Sequence, residues 1–225
     1  MTDEKMSRIC AVETHKDGTA SVFQRMPDGS VVKSEMPFRP FLLTAFNAFP
    51  DELPGIRMTE LSGEGDFRFR ADFDNTELYD EAVKTLKKTT GFSGGQPNAP
   101  FRLFSDMTQQ FLIQHDLRLF TGMAFPELRR MQFDIETLCT PGYEFPNAAR
   151  PDDAVIIISL SDNTGWEKVL SLADYPSEKE LLEAFSAEVA ERDPDVLEGH
   201  NIFRFDLPYL EARAKRCKVK LRLGR

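Results

Sequence analysis

Phenylalanine and charged residues alternate along the segment GDFRFRADFD (65–74), so that every second side chain is apolar. This period of two predicts a strand with one buried and one solvent-facing side. Other short β-like runs precede it and are separated by turn signals such as the Pro-Asp-Gly sequence at 27–29. These runs cover residues 7–14, 20–25, 30–36 and 40–46. Apolar residues at helical spacing then predict a helix over 76–88 that ends near Gly91.

The pattern changes near residue 125. Strands are predicted at 129–138, 154–162 and 167–175, followed by a helix, a short strand at 195–201 and a second helix that opens at Asp206. Ser177 and Glu180 form a capping box for the first helix, and Asp193-Pro194 ends it. The order predicts two domains: a small β-rich domain over 1–127 and a domain over 128–225 in which three antiparallel strands lead into a βαβ-like half. The fold class is therefore α/β (α+β).

Composition, net charge and cysteine spacing exclude several classes of protein. The chain has 225 residues, of which 41% are hydrophobic, and a formal net charge of −9, which argues against adhesion to polyanions over the whole surface. The three cysteines lie far apart without metal-ligand spacing, so neither a disulfide framework nor a structural zinc site is expected. The charged N-terminus and the lack of a long apolar run predict a cytoplasmic protein without a membrane span.

Charge is distributed unevenly along the chain. Residues 211–225 carry seven basic side chains against the single acid Glu211, whereas the rest of the chain is acidic. Two interpretations are open for this basic end. The basic end is either a phosphate-facing surface of the last helix or a solvated helix face with a frayed tail.

Asp134 and Glu136 stand two positions apart in Phe-Asp-Ile-Glu-Thr (133–137), within a predicted strand. Side chains at i and i+2 point to the same face, so both carboxylates can reach one site while their neighbours pack on the other side. Mg²⁺ prefers carboxylate oxygens, and two such ions roughly 3.5–4 Å apart can activate water and stabilise the leaving oxygen of a phosphodiester. An isolated pair of this kind is more often a solvated strand face.

A second element follows about seventy residues later, in which Asn201 and three further residues lead to Phe205-Asp206. Together, Phe-Asp-Ile-Glu-Thr and this element resemble the first and second exonuclease motifs of family B DNA polymerases, and the lead-in DPDVLEGHN (193–201) is typical of the same family. The segments Phe38-Arg39-Pro40-Phe41 and Phe120-Thr121-Gly122 also resemble the N-terminal part of these polymerases. The resemblance covers most of residues 7–225.

The resemblance implies a fold, a reaction and a role for each matched residue. The second domain would be a ribonuclease H-like 3′→5′ exonuclease domain that removes the 3′-terminal nucleotide of DNA as the monophosphate, the proofreading reaction. Asp134 would bridge two Mg²⁺ or Mn²⁺ ions, Glu136 would bind one of them, and Asp206 would hold the second. Asn201 and Phe205 would lie against the 3′ end. The expected partner is a single-stranded DNA 3′ end or a primer-template, with a polymerase domain downstream.

The sequence also departs from the family pattern. Family members carry a third exonuclease motif, a Tyr followed four residues later by an Asp, and this sequence reaches Arg225 without one. It also contains no polymerase motif with paired aspartates. The exonuclease domain is therefore expected to be incomplete at its C-terminus. The alternative interpretation is a catalytically inactive nucleic-acid-binding or scaffold module.

Structural explanations compete with the functional one for several of these residues. Asp206 could serve as a helix N-cap, Asn201 could close a turn, and Phe205 could belong to the core. Phenylalanine and arginine are also interleaved at 38–41, 67–70, 101–104 and 203–205. Such repeats can hold single strands by stacking and cation–π contacts, but ordinary core strands explain most of them.

Overall fold

The computed structural model describes residues 6–49 and 53–224 and divides the chain into two compact units, Met1–Gly122 and Met123–Arg225. In the first unit the strands are β1 (Ile9–Thr14), β2 (Thr19–Arg25), β3 (Val31–Pro37), β4 (Phe41–Thr44), β5 (Ile56–Glu60), β6 (Phe69–Phe73) and β7 (Phe101–Arg102), and the helices are α1 (Thr76–Thr90) and α2 (Met107–Gln114). The predicted strands before residue 75 and the helix α1 are confirmed, whereas β5, β7 and α2 were not predicted.

Two antiparallel sheets make up the first unit. One has the order β1-β2-β3, and its core contains Ile9, Val22 and Phe111. The other has the order β5-β6-β4-β7 and buries one face against α1. That helix begins at the N-cap Asn75, whose side chain accepts the Leu78 N–H, and ends at Gly91 with φ 75°. Glycine is suited to this left-handed C-cap because it has no Cβ.

In the second unit the strands are β8 (Arg130–Thr137), β9 (Val155–Asp162), β10 (Glu167–Ser171) and β11 (Val196–Glu198), and the helices are α3 (Glu178–Arg192) and α4 (Asp206–Cys217). The sheet order is β10-β9-β8-β11. The first three strands are antiparallel, as predicted, and β11 pairs in parallel with β8. The predicted third strand is shorter than expected, because a single 3₁₀ turn begins at Leu172.

Helices α3 and α4 cover one face of this sheet. Leu181, Phe185 and Val189 form the apolar stripe of α3 and are buried, as predicted. The helix ends where Asp193 takes a left-handed conformation with φ 45°, directly before Pro194. Because both helices pack on the same face, the opposite face of β8 and β9 stays open beside the predicted carboxylates.

The basic end is not frayed, and five of its basic side chains are exposed: Lys215, Arg216, Lys218, Lys220 and Arg222. Helix α4 ends at Cys217, and the following extended segment packs Val219, Leu221 and Leu223 against the core, so it is not a frayed tail. Arg213 is buried, with 2% of its surface exposed, and so it contributes nothing to a basic surface. Arg225 lies outside the described residues. Among the described residues, no helix has the length and apolar character needed to cross a membrane.

Candidate active site

The first two predicted ligands lie on the open face of β8. Asp134 and Glu136 are exposed, and the intervening Phe133 and Ile135 are buried at 3% and 5% exposure. The strand forms because this alternation buries one face under α3 and α4 while the other takes the polar side chains. Both carboxylates therefore project from one surface of a central strand.

Asp206 reaches the same region from a different element. It is the first residue of α4, and only 2% of its surface is exposed. Its Oδ1 accepts a hydrogen bond from the backbone N–H of Ile135, at 3.3 Å. The N-cap of α4 is Phe205, with no side-chain capping bond, so Asp206 is turned towards β8 instead of capping its own helix.

Asp206 lies next to Asp134, because the N–H that its carboxyl group accepts belongs to the following residue, Ile135. Burial raises the pKa of Asp206 above its ordinary value, and the negative charge of Asp134 and a hydrogen bond between the two carboxyl groups raise it further. Two carboxylates this close cannot both ionise without cost, and a proton or a cation relieves the repulsion. The arrangement is therefore suited to a positively charged ligand.

Glu136 is not part of the pair formed by Asp134 and Asp206. It lies on the same face as Asp134, opposite Ile157 of β9 in the strand register. Within residues 6–49 and 53–224, no group of three or more His, Cys, Asp or Glu side chains is close enough to hold one metal ion. The structure thus brings together two of the three predicted ligands, and places the third further along the same strand.

The turn between β11 and α4 contains the two predicted substrate-contacting residues. Asn201 is exposed and has a left-handed backbone with φ 56°, and its carbonyl accepts the N–H groups of Arg204 and Phe205. The ring of Phe205 is half-buried and lies 5.4 Å from the ring of Tyr209. The backbone of Asn201 therefore closes the turn, and its side chain remains exposed.

Gly199 allows this turn to pack closely against β8, the strand that carries Asp134 and Glu136. The sequence analysis did not identify this role. A Cβ atom at this position would lie 2.6 Å from the carbonyl oxygen of Phe133, which is too close for any other residue without a backbone shift. The glycine in the DPDVLEGHN segment is the only sequence signal for this close approach. It lets the end of β11 pass beside the backbone that carries Asp134.

An open trough extends from this region across the sheet. Its volume is about 470 Å³, and Asp134, Ser159, Ser161, Val169 and His200 are among its lining residues. Small polar side chains line the bottom of the trough and leave room above it. One of them is Ser159, which stands opposite Asp134 in the β8–β9 register. The alternating serines of the predicted strand 154–162 were the available signal. A trough of this size can admit a nucleotide-sized ligand.

The loop after β8 exposes aromatic side chains on a fixed backbone. Tyr143 and Phe145 are 60% and 71% exposed. The fully buried Asp153 accepts hydrogen bonds from the Thr140 hydroxyl, from the Arg150 side chain and from the backbone N–H groups of Asn147 and Thr140. Burial acts to raise the pKa of Asp153, but these bonds outweigh it and hold the pKa well below its usual range. The loop is thus tied together around an ionised carboxylate.

These features define the class of protein by its fold and its site. It is a mixed α/β unit with carboxylates on the open face of its sheet. A sequence model of the family described as "DNA polymerase family B, exonuclease domain" matches residues 105–225, more than half of the chain. The chain therefore belongs to DNA polymerase family B. The family resemblance noted in the sequence is confirmed.

Individual relatives agree with this assignment. The chain is 40% identical over 110 residues to a DNA polymerase of Pyrococcus glycovorans, a match that covers 44% of this chain and 13% of the relative. It is 35% identical over 103 residues to a DNA polymerase of Archaeoglobus fulgidus, covering 46% of this chain and 12% of the relative. The matched segment thus spans about an eighth of each relative.

The fold is similar to that of a solved polymerase. The structure of the family B DNA polymerase from the hyperthermophilic archaeon Pyrobaculum calidifontis aligns with a TM-score of 0.61 at 20% sequence identity. The alignment covers 97% of this chain and 33% of that chain. This likeness supports the fold, which is mixed α/β with several sheets.

Proposed function

We propose that residues 128–225 form a 3′→5′ exonuclease domain of ribonuclease H-like fold, which removes the 3′-terminal nucleotide of DNA as the monophosphate in proofreading. The observation that carries the proposal is the hydrogen bond from the Ile135 N–H to Asp206, which brings Asp206 beside Asp134 although the two residues belong to separate family motifs. Membership of DNA polymerase family B supports it. The sheet order, with β11 parallel to β8 and the first three strands antiparallel, supports the fold assignment.

The donor set fits divalent metal ions. Carboxylate oxygens are the ligands that Mg²⁺ and Mn²⁺ prefer, and a buried carboxyl group beside a second one is stabilised by a nearby cation. Asp134 and Asp206 would hold the ions, and Glu136 on the same face of β8 would complete the site. Divalent ions bound there would activate water and stabilise the leaving oxygen of the scissile phosphodiester.

The chain's own groups orient this site. The backbone N–H of Ile135 holds the Oδ1 of Asp206 against β8, beside Asp134. The trough beside Asp134 would receive the terminal nucleotide, with Asn201 and Phe205 against the 3′ end. The buried face of β8 fixes the strand, which keeps the positions of the carboxylates constant as a substrate enters.

The test measures nucleotide release from a 5′-labelled single-stranded DNA with Mg²⁺, with Mn²⁺ and with EDTA. Release is expected only with metal, and Asp134→Asn or Asp206→Asn is expected to reduce it by about 100-fold, because loss of even an outer partner of a metal ligand costs about 10–100-fold. Mn²⁺ binding followed by electron paramagnetic resonance gives a readout that does not depend on turnover. Weaker Mn²⁺ binding by both variants is expected.

Glu211→Gln is the matched control, because Glu211 is an exposed carboxylate on the same helix as Asp206. It should leave release and Mn²⁺ binding unchanged. Equal Mn²⁺ binding by the native chain and by Asp134→Asn would overturn the assignment of the site. Nucleotide release that persists in both aspartate variants would show that the reaction occurs elsewhere.

A further inference from the structure

Strand β3 (Val31–Pro37) lies at the edge of a sheet in the first unit. The sheet has the order β1-β2-β3, and in the described part of the chain β3 pairs with β2 and with no other strand. The side chains of Val32, Lys33 and Glu35 are exposed. A strand edge of this length is a template for pairing with a strand of another chain.

The backbone groups of alternate residues in β3 face this edge. Directly after the strand, Phe38 donates its N–H to the carbonyl of Gly18, at 2.8 Å. In an antiparallel pair, residues that exchange hydrogen bonds with the partner strand recur at every second position, so the even-numbered residues of β3 bond to β2. The N–H and C=O groups of Lys33 and Glu35 therefore point away from β2, and within the described residues they make no hydrogen bond outside the sheet.

Pro37 ends the part of this edge that can pair. Proline has no N–H to donate, and the carbonyl oxygen of Pro37 accepts a hydrogen bond from Nε2 of His115, at 2.9 Å. Pairing is therefore confined to the residues before Pro37, where Lys33 and Glu35 supply the outward-facing backbone groups.

The side chains of β3 are self-complementary about Ser34. When two copies of β3 pair antiparallel with Ser34 at the centre, Lys33 of each copy stands opposite Glu35 of the other, and Val32 stands opposite Met36. Within the described part of the chain, neither Lys33 nor Glu35 has an ion-pair partner. Opposite charges at directly paired positions stabilise antiparallel strands, so each copy supplies what the other lacks.

The same two charges disfavour the neighbouring registers. Because only every second residue offers its backbone groups to the edge, the register can change only in steps of two residues. A step in one direction places Lys33 opposite Lys33 of the other copy, and a step in the other direction places Glu35 opposite Glu35. Like charges directly opposite each other are destabilising, so the sequence specifies one two-fold register.

The hydroxyl group of Ser34 favours this register independently of the charges. Its Oγ atom is buried and has no hydrogen-bond partner among the described residues. Buried polar atoms in proteins nearly always have a partner. At the centre of the two-fold pair the two Ser34 side chains stand directly opposite each other, so that one hydroxyl can donate to the other.

We propose that β3 is a homodimerisation edge, at which the three-stranded sheets of two copies of this chain join into one sheet of six strands. Each pairing of Lys33 with Glu35 of the other copy exchanges two backbone hydrogen bonds, and the two-fold axis passes through Ser34. The contact is small, which places it among the weak, concentration-dependent interfaces. It uses residues of the first unit only and does not depend on the proposed nuclease reaction.

The experiment measures the mass of the whole chain in solution by sedimentation velocity, from micromolar to millimolar protein concentration. The native chain is expected to pass from monomer to dimer. Lys33→Glu places like charges opposite each other in both halves of the pair and should raise the dimer Kd at least about tenfold, and Glu35→Lys should do the same. An equimolar mixture of the two variants should dimerise again, because every glutamate of one variant then meets a lysine of the other.

A third variant tests the backbone of the edge. Lys33→Pro removes an outward-facing N–H and leaves the hydrogen bonds to β2 in place, so it should abolish the dimer while circular dichroism still shows a folded chain. The matched control is Lys84→Glu, which reverses an exposed charge on α1 of the same unit and should change the Kd less than twofold.

Three results would overturn the proposal: a native chain that stays monomeric at every concentration, a dimer that Lys33→Glu leaves intact, or a mixture of the two charge variants that fails to associate. Asp134→Asn should dimerise as the native chain does, because Asp134 lies in the second unit. The dimer and the proposed nuclease therefore fail separately.

Discussion

The guanidinium of Arg213 on α4 forms a buried ion pair with Glu178, the first residue of α3, with 2.8 Å between Nε and Oε1. Its remaining donors bind the backbone carbonyls of Ala148, Arg150 and Pro151. Glu178 also accepts the N–H of Val155, at 2.9 Å. The helix that carries Asp206 is thereby tied to α3 and to the start of β9.

Removal of one partner from this pair is expected to destabilise the second unit strongly. Arg213→Ala leaves Glu178 buried and unpaired, a change that costs about 3–5 kcal/mol. The single tryptophan, Trp166, packs against the core of this unit, so its fluorescence during urea unfolding reports the loss. Arg216→Ala, on the exposed side of the same helix, should change the unfolding free energy by less than about 0.5 kcal/mol. Equal effects in both variants would contradict the prediction.

The free energy of unfolding is expected to depend on pH through the carboxyl group of Asp162. Burial acts to raise the pKa of Asp162, but hydrogen bonds from Thr164 and Arg192 outweigh it and lower the pKa from 3.8 to about 2. A carboxylate with a lowered pKa contributes stability that is complete above its unfolded pKa and is lost as pH falls towards its folded pKa. The stability difference between the native chain and Asp162→Asn should therefore be constant above pH ~5 and shrink by about 2 kcal/mol between pH ~4 and ~2.

Urea unfolding followed by Trp166 fluorescence at a series of pH values measures this difference. The guanidinium of Arg192 stacks 4.6 Å from the Trp166 ring, so the probe lies beside the titrating pair. A stability difference that grows as the solution is acidified would show that the sign is wrong.

Gly199→Ala is expected to damage the candidate active site through the backbone. The added Cβ would meet the Phe133 carbonyl oxygen at 2.6 Å, and neither backbone can move without disturbing β8 or β11. The expected cost is about 1–3 kcal/mol, as for other overpacked sites. Gly224→Ala is the control, because a Cβ there meets no atom of the described residues within 4 Å. Unfolding free energies of the two variants that agree would contradict this prediction.

Neutralising Asp206 is expected to stabilise the metal-free protein. Asp206→Asn keeps an acceptor for the Ile135 N–H and removes the interaction between two carboxyl groups. The melting temperature in EDTA should rise, corresponding to about 1 kcal/mol. Added Mn²⁺ should raise the melting temperature of the native chain and leave that of the variant nearly unchanged. A variant that melts below the native chain in EDTA would contradict the prediction.

The sequence was most informative where one strand has two different faces. The alternation across β8 placed Asp134 and Glu136 on one side and Phe133 and Ile135 on the other, because period-two patterning follows directly from strand geometry. The helix α3 was equally clear, since its cap and its apolar stripe are local features. These predictions needed no knowledge of distant contacts.

Other elements depend on contacts that no local pattern records. Strand β7 has only two residues and exists through its pairing with β4. Helix α2 buries the polar Gln110, which accepts the Phe41 N–H and donates to the Phe104 carbonyl. The contact between Asp206 and Ile135 arises in the same way, from the placement of α4 against β8. Short or polar segments of this kind become regular only in the tertiary structure.

The exposed and buried faces of strand β8 are subject to different selective constraints. Replacement of Asp134 or Glu136 alters one surface of the strand and leaves the packing of Met131, Phe133 and Ile135 untouched. A descendant of this chain can therefore lose or exchange the proposed metal ligands by single substitutions and still fold. The core residues can change under their own packing constraints while the proposed ligands are preserved, so folding and the proposed site can evolve on separate sides of one strand.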